Sequence, residues 1–224
     1  MGKPILVSWS SGKDSAWTLH LLRRQPEFTV TGLFTTANQE HQRVAMHAVR
    51  LELLRRQAEA VGLPLHILYI PNQCSNAQYD SVMGSFVEQA KADGVCHLAF
   101  GDLFLKDARK YREERLQAAG ITALFPLWGI PTAELARQMV AGGLRAILTC
   151  VDPRKLPTSL AGSAFDAAFL DELPTTADAC GENGEFHTFV YDGPMFADPI
   201  DVEVGEVVER DGFVFADVLP AGAG

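Results

Sequence analysis

Short apolar runs alternate with helix-length amphipathic segments along the first two thirds of this 224-residue chain. The runs that predict strands lie at 4–8, 28–35, 65–70, 95–100, 121–127 and 144–151. The segments that predict helices lie at 14–24, 42–61, 76–93, 106–119 and 132–141. Glycine or proline ends most of them, as at Pro26, Gly62 and Gly94. Alternation of this regularity predicts a parallel sheet with helices on both faces, because parallel strands require long crossover connections.

The pattern changes after Pro153. A short helical stretch at 163–172 is followed by loop-rich sequence and by β-rich segments at 186–191, 200–209 and 212–218. Asp211-Gly212 separates the last two segments and predicts a tight hairpin. We therefore predict a doubly wound α/β domain with a mainly parallel sheet over residues 1–152, and a smaller α+β part over residues 153–224.

The charge balance is acidic. Nineteen Lys and Arg face 28 Asp and Glu, a formal net charge of −9, which disfavours nucleic acid as a partner because nucleic acid is itself a polyanion. No apolar run is long enough to span a bilayer, so we expect no membrane partner. The four cysteines include no C-x-x-C pair, which argues against a disulfide framework or a Cys₄ zinc site. These features predict a reduced, cytoplasmic protein, and they allow a homo-oligomer.

The sharpest local motif is Ser10–Ser15, which follows the first predicted strand and opens the first predicted helix. Small residues let phosphate approach the backbone, the helix N-terminus supplies N–H donors, and Lys13 adds a positive charge. The motif is not a Walker A loop, because Val7 and Asp14 stand where that loop needs Gly and Ser or Thr. A plain helix cap formed by Asp14 and Ser15 is the alternative, but the end of the first strand is where open α/β sheets bind ligands.

This hexapeptide resembles the S-G-G-x-D-S pyrophosphate loop of the ATP pyrophosphatases in the adenine nucleotide α-hydrolase superfamily, with Ser11 in place of a glycine. Other segments are similar to the diphthine–ammonia ligase-like branch: Met46-His47, Gln57–Ala60, Leu63–Leu65, Gly101-Asp102, Arg109 with Glu113, and Pro126–Trp128. The most specific of these is Cys180–Phe189, which is similar to the family's E-G-G-E segment with Asn183 replacing the first glycine. The resemblance covers about residues 4–200.

The resemblance implies an adenine nucleotide α-hydrolase-like fold and a site for ATP and Mg²⁺. The implied ATP-binding residues are Ser10, Ser11, Gly12, Lys13, Asp14, Ser15, Met46, Gly101, Asp102 and Arg109. The implied Mg²⁺ ligands are Asp14 and Asp102, and the implied catalytic residues are Lys13, Glu182 and Glu185.

Plainer explanations stay open for several of these positions. Arg109 and Glu113 are spaced as a helix-surface ion pair, and core packing alone accounts for Met46. Without the resemblance, Glu182 and Glu185 would be surface acids at a hairpin tip around Asn183-Gly184.

The implied activity is an ATP-dependent, amide-forming ligation. The carboxylate of an acceptor, either a small molecule or a modified protein side chain, attacks the α-phosphate of ATP and pyrophosphate leaves. Ammonia then converts the acyl-adenylate to an amide and AMP. Two other classes stay open: a tRNA-modifying, thiolase-type ATP pyrophosphatase and a non-catalytic adenine-nucleotide sensor. The acidic balance and the missing C-x-x-C pair disfavour the first, and a sensor would bind ATP without releasing pyrophosphate.

Overall fold

A computed structural model of the chain describes residues 2–40, 43–44 and 49–222. The first part contains β1 (Lys3–Ser8), α1 (Lys13–Arg23), β2 (Phe28–Asn38), β3 (Arg43–Val44), α2 (Leu51–Val61), β4 (Leu65–Ile70), α3 (Asn76–Ala92), β5 (His97–Ala99), α4 (Lys106–Ala118) and β6 (Thr122–Leu124). The second contains α5 (Thr132–Ala141), β7 (Arg145–Val151), a 3₁₀ turn (Thr158–Leu160), β8 (Ala164–Phe165), α6 (Ala167–Glu172), β9 (Phe186–Asp192), β10 (Val202–Arg210) and β11 (Phe213–Pro220). None of the helices in these residues is long and apolar enough to cross a membrane.

The first sheet has the parallel strand order β4-β2-β1-β5-β6, and β3 adds a short antiparallel pairing at the end of β2. Successive side chains of β1 point to opposite faces, as the pleat requires. Ile5 and Val7 pack in the cluster that contains residues of α1 and α2, whereas Leu6 packs in the cluster that contains residues of α3 and α4. Helices therefore cover both faces, and the predicted doubly wound α/β fold is confirmed.

The second sheet is antiparallel, with the order β10-β11-β7-β8 and with β9 also paired to β7. The prediction that 144–151 continues the parallel sheet is wrong, because β7 pairs only with strands of the second sheet among the described residues. Six of its seven residues are buried, and such a run looks the same in a central strand of either kind of sheet. The domain boundary after residue 152 stays a prediction, although it separates β7 from its partner strands.

Three local predictions also differ from the structure. The helix predicted over 42–61 begins only at Leu51, because Arg43–Val44 pairs with the end of β2; residues 41–42 and 45–48 lie outside the described residues. The strand predicted over 121–127 is limited to Thr122–Leu124. The helical stretch predicted over 163–172 begins only after Asp166, whose carboxylate accepts a hydrogen bond from the Phe169 amide and caps α6.

The predicted Asp211-Gly212 hairpin is confirmed. β10 and β11 pair in antiparallel register on either side of it, and both turn residues have positive φ, 54° and 77°. Two consecutive residues with positive φ match the twist of the flanking strands, which explains why this dipeptide serves as a hairpin signal.

The buried amide side chain of Gln57 joins the two sheets. Gln57 of α2 accepts a hydrogen bond from Trp9 Nε1 at 2.8 Å. Its own amide nitrogen donates to the carbonyl of Ser11 at 3.0 Å and to the carbonyl of Val190 in β9 at 2.6 Å. Because Gln57 is fully buried, these three bonds fix the end of β1, the start of the following loop and the second sheet relative to one another.

We expect Gln57→Leu to lower the free energy of unfolding by about 3 kcal/mol or more, because each buried polar group left without a partner costs about 1–3 kcal/mol. Urea unfolding followed by circular dichroism measures this change. The matched control is Gln138→Leu on α5, where the exposed amide bonds only Glu134 and the loss should stay within about 0.5 kcal/mol. Equal losses in both variants would show that Gln57 does not hold the sheets together.

Candidate active site

The predicted phosphate loop lies at the topological switch point of the first sheet. The chain continues from β1 to β2 on one side, whereas β5 lies on the other side, so the carboxyl ends of β1 and β5 border a crevice. A cleft of about 280 Å³ is found there. Its lining comes from both parts of the chain: Ser8, Ser10, Gly12, Lys13, Asp14, Ser15, Phe100, Gly101, Asp102, Arg112, Cys180, Gly181, Glu182, Gly184, Phe186, His187 and Thr188.

The backbone of the loop is held by its own hydroxyl groups. Ser10 Oγ accepts a hydrogen bond from the Gly12 amide, and Ser15 Oγ donates to the Gly12 carbonyl at 2.9 Å. Gly12 has the extended conformation of a helix N-cap, with φ −89° and ψ 172°. The first-turn amides of Asp14 and Ser15 have no partner within the helix, as at every helix N-terminus, and both residues line the cleft. The loop can therefore receive an anion on backbone donors.

Strand β9 supports this loop from behind. The Val190 amide donates to the Ser11 carbonyl at 3.0 Å, and the Lys13 amide donates to Thr188 Oγ1 at 3.1 Å. Ser11 is fully buried, is absent from the cleft lining and has a φ of 72°. Its side chain thus faces the protein interior, whereas the neighbouring residues Ser10 and Gly12 line the cleft.

Lys13 is buried, and its ammonium already has protein partners. It donates to both carboxylate oxygens of Asp14, at 2.8 and 3.1 Å, and to the carbonyl of Cys180. It also lies 5.4 Å from the ring centre of Phe186. Burial alone would lower the pKa of Lys13, but the charge and hydrogen bond of Asp14, together with the nearby Cys180 and Glu182, outweigh that effect and the pKa is raised. Lys13 therefore remains a cation that ties the phosphate loop to the C-terminal part.

Burial also raises the pKa of Asp14, because removal from water disfavours its charged form more than the adjacent Lys13 favours it. Gly101, at the end of β5, lies directly against this residue. A Cβ atom at Gly101 would stand 3.0 Å from the carbonyl carbon of Asp14, so a larger residue would require the Asp14 backbone to shift by a few tenths of an ångström. The close contact brings the carboxyl end of β5 against the N-terminus of α1.

The two glutamates of the 178–185 loop do not face the same space. Glu182 lines the cleft, and its Oε1 accepts hydrogen bonds from the amides of Leu103 at 2.9 Å and Phe104 at 3.4 Å. Glu185 is buried, is absent from the cleft lining, and accepts from the amide of Asp178 and the side chain of Asn183, both at 3.2 Å. Burial raises the pKa of Glu182.

This segment is not the tip of a hairpin, because β9 follows it but no described strand directly precedes it. Asp178 organises its backbone by accepting hydrogen bonds from the amides of Cys180 at 3.0 Å and Glu182 at 3.1 Å. Asp178 also accepts from the hydroxyl of Thr132 at the start of α5. The sequence motifs do not point to Asp178, although aspartate side chains commonly bond the backbone two residues further on.

Two cleft residues have strongly shifted pKa values. Burial lowers the pKa of His187 to about 4, and the nearby Lys13 adds to the shift, so the imidazole is neutral at pH 7. Burial raises the pKa of the Cys180 thiol to about 12. A thiol that keeps its proton is a poor nucleophile, so Cys180 is poorly suited to nucleophilic chemistry in this fold.

Arg109 is not among the residues that line the cleft. Its guanidinium stacks on Trp128, 4.6 Å from the ring centre, and Nε donates to Glu113 at 2.7 Å. Arg112, one turn further along α4, lines the cleft instead. Met46 lies outside the described residues, so its predicted contact with the nucleotide stays a prediction.

The described residues contain no cluster of three or more His, Cys, Asp or Glu side chains that could hold a metal ion. Asp14 and Asp102 nevertheless both line the cleft. Mg²⁺ is commonly held by one or two carboxylates together with substrate phosphates and water, so two carboxylates are a sufficient protein contribution.

Fold and cleft together define the class: a doubly wound α/β protein with an anion-receiving helix N-terminus at its switch point, completed by a second, antiparallel part. Two family models match the chain. The diphthamide synthase N-terminal domain matches residues 3–122, and the diphthamide synthase C-terminal domain matches residues 131–216. The chain belongs to the diphthamide synthase family.

Curated relatives carry one name. The diphthine–ammonia ligase of Homo sapiens is 27% identical over 236 residues, covering 93% of this chain and 86% of the human protein. The diphthine–ammonia ligase of Danio rerio is 31% identical over 183 residues, covering 72% of this chain and 69% of the fish protein. That of Schizosaccharomyces pombe is 28% identical over 172 residues, which is 28% of its length. The chain is a ligase-class enzyme of this family.

We expect Ser11→Gly to raise the free energy of unfolding by about 1 kcal/mol. The left-handed backbone costs a side-chain-bearing residue about 1–2 kcal/mol, and the added flexibility of glycine in the unfolded chain offsets part of that gain. The Ser11 hydroxyl is also buried without a hydrogen-bond partner among the described residues, so nothing is lost with it. Thermal unfolding measures the change, and Ser10→Gly, which loses two loop hydrogen bonds, should destabilise. A lower stability of Ser11→Gly would contradict this account of the loop.

Proposed function

We propose that the protein is an ATP-dependent, amide-forming ligase that adenylates a carboxylate, releases pyrophosphate and transfers ammonia to give an amide and AMP. One observation carries the proposal: the anion-receiving N-terminus of α1 and the carboxylate of Glu182 line the same cleft although they come from different parts of the chain. Nucleotide chemistry and acceptor chemistry could thus proceed side by side. The name that these relatives share, diphthine–ammonia ligase, supports the same reaction class.

In this proposal the phosphate loop binds the β- and γ-phosphates of ATP. Ser10, Gly12 and Ser15 contribute hydroxyl and backbone donors, and the helix dipole adds its positive end. Lys13 contributes its positive charge from behind the loop while keeping its bonds to Asp14 and Cys180. Donors that are already in place stabilise the charge that develops on departing pyrophosphate without further reorganisation. Mg²⁺, held by Asp14 and Asp102 together with the phosphates, would neutralise part of the same charge.

Glu182 is the proposed acid–base group for the ammonia step. It lines the cleft, and burial raises its pKa towards the range in which a carboxyl group exchanges protons efficiently. The amides of Leu103 and Phe104 hold one of its oxygens, which fixes the direction of the carboxyl group. Glu185 is better suited to a positioning role, because its contacts are with the loop that carries Glu182.

The thiolase-type alternative is disfavoured by the buried cysteines. Burial raises the pKa of both Cys150 and Cys180 to about 12, so neither thiol is primed to carry sulfur. A nucleotide sensor would differ from a ligase in binding ATP without turning it over. Cytoplasmic localisation and a homo-oligomeric state stay predictions.

The test is to incubate the protein with α-labelled ATP, Mg²⁺, ammonium and candidate carboxylates. We expect labelled AMP, with pyrophosphate and amide formed in equal amounts. Gly12→Val is the matched inactive control, because its branched side chain would block the approach of phosphate to the backbone. Release of ADP and phosphate would contradict the proposal, and ATP binding without turnover under every acceptor would favour the sensor.

The pair Glu182→Gln and Glu185→Gln separates the two proposed roles. Both variants keep an oxygen that can accept the native hydrogen bonds and lose only the ionisable group. We expect Glu182→Gln to bind ATP nearly as well as the wild type but to form amide at least ~10²-fold more slowly, the low end for losing a positioned acid–base group. Glu185→Gln should form amide at a rate close to that of the wild type.

Single-turnover kinetics and ATP titration distinguish the outcomes. Equal losses of rate in both variants would restore the paired catalytic role that the sequence predicts. A loss of ATP affinity in Glu182→Gln would instead assign that carboxylate to the nucleotide or its Mg²⁺.

A further inference from the structure

Lys13 and Arg112 are the two lysine or arginine side chains that line the cleft within the described part of the chain. Lys13 is only 2% exposed, and its ammonium already donates to three oxygen atoms. To reach a phosphate directly it would have to give up bonds to Asp14 or to Cys180, and the Cys180 bond ties the loop to the C-terminal part of the chain. Arg112 is therefore the cation that an incoming anion meets first.

The contacts of Arg112 leave its guanidinium ready for another partner. Its Nε lies 2.9 Å from Oδ2 of Asp102, yet neither of these buried atoms has a well-aligned hydrogen bond to a described residue. The guanidinium carbon lies 4.5 Å from the centre of the Phe100 ring, which supports its plane. The attraction to Asp102 holds Arg112 at the cleft by charge, without using up its directional donors.

The position of this pair also matters. Asp102 follows Gly101, whose missing side chain lets the end of β5 lie against the backbone of Asp14 in the first turn of α1. The Gly101 contact and the Asp102–Arg112 ion pair therefore place Arg112 and the first turn of α1 in the lining of one cleft. An anion bound by the first-turn amides would occupy the same cleft as this cation.

The charge of the cleft favours such a group. Three acidic residues line it, Asp14, Asp102 and Glu182. Because Lys13 is paired with Asp14, a polyphosphate that brings Mg²⁺ to Asp14 and Asp102 would still gain from a further cation in the cleft. A planar guanidinium that donates two parallel hydrogen bonds is well matched to phosphate oxygens.

We propose that Arg112 binds a phosphate oxygen of ATP opposite the phosphate loop and retains the departing pyrophosphate. This inference rests on the proposed ligase function and adds a binding residue to it. The family resemblance implied Arg109 as an ATP-binding residue; Arg109 lies three residues earlier on α4 and stacks on Trp128.

The first test measures the affinities of ATP and of inorganic pyrophosphate by isothermal titration calorimetry. Arg112→Gln should weaken both by about 10- to 100-fold, the range for losing a hydrogen bond to a charged group. Arg112→Lys keeps the charge without the planar donors, so its affinities should lie between those of the wild type and those of Arg112→Gln. The matched control is Arg115→Gln, which removes an arginine from the same helix that pairs with Asp80 outside the cleft, and it should change neither affinity by more than about twofold.

A second test excludes an indirect effect through Asp102. If Arg112 only neutralises that carboxylate, Arg112→Gln should have no effect on pyrophosphate affinity in an Asp102→Asn background. If Arg112 contacts phosphate, the weakening should persist there. Circular dichroism and thermal unfolding establish whether each variant is folded. If Arg112→Gln does not fold, Arg112→Lys takes its place in both tests.

The outcomes keep this inference separate from the proposed function. Unchanged pyrophosphate affinity in Arg112→Gln, in a protein that still converts ATP to AMP, would overturn the inference alone. The same holds if the variant raises only the KM of the carboxylate acceptor, because Arg112 would then bind the acceptor. A wild-type protein that binds neither ATP nor pyrophosphate would overturn the proposed function and the inference with it.

Discussion

The whole site depends on the phosphate loop being held from behind by the second sheet. Gln57 bonds the indole of Trp9, the carbonyl of Ser11 and the carbonyl of Val190, and all of these groups are removed from water. The amide of Lys13 is held by Thr188 on the same strand. Because every one of these donors and acceptors would be costly to leave unpaired, the loop has one position relative to β9. The donors at the N-terminus of α1 are thus fixed before any ligand arrives.

The same arrangement makes the two parts of the chain one chemical unit. Lys13 bonds the carbonyl of Cys180, and Glu182 accepts from the amides of Leu103 and Phe104. The 178–185 loop is therefore tied to both edges of the crevice, while Asp178 and Glu185 shape it internally. Residues that are far apart in the chain are held in one cleft, an arrangement that the proposed two-step ligation would need to keep an activated intermediate from water.

Charged residues of the same type have different surroundings in and around the cleft. Lys13 is surrounded by acceptors and aromatic rings, so its charge acts through the loop and not through a free ammonium. Arg112 is supported on Phe100 and keeps unused donors. Glu182 and Glu185 are three residues apart but have different surroundings: Glu182 lines the cleft, whereas Glu185 is buried away from it. Residue type alone would have treated the members of each pair as equivalent.

The sequence by itself determined the α/β class, the small-residue turn at the N-terminus of α1 and the Asp211-Gly212 hairpin. Each of these rests on local signals: hydrophobic period, small residues at a helix N-terminus, and residues that tolerate positive φ. Only the tertiary structure decided that β7 joins the second sheet, since a strand buried on both faces carries no mark of its partners. It also decided that Arg112 rather than Arg109 lines the cleft, and that Glu185 is buried away from the cleft that Glu182 lines. Those outcomes depend on the angle at which a helix or loop packs, which is set by contacts between residues far apart in the chain.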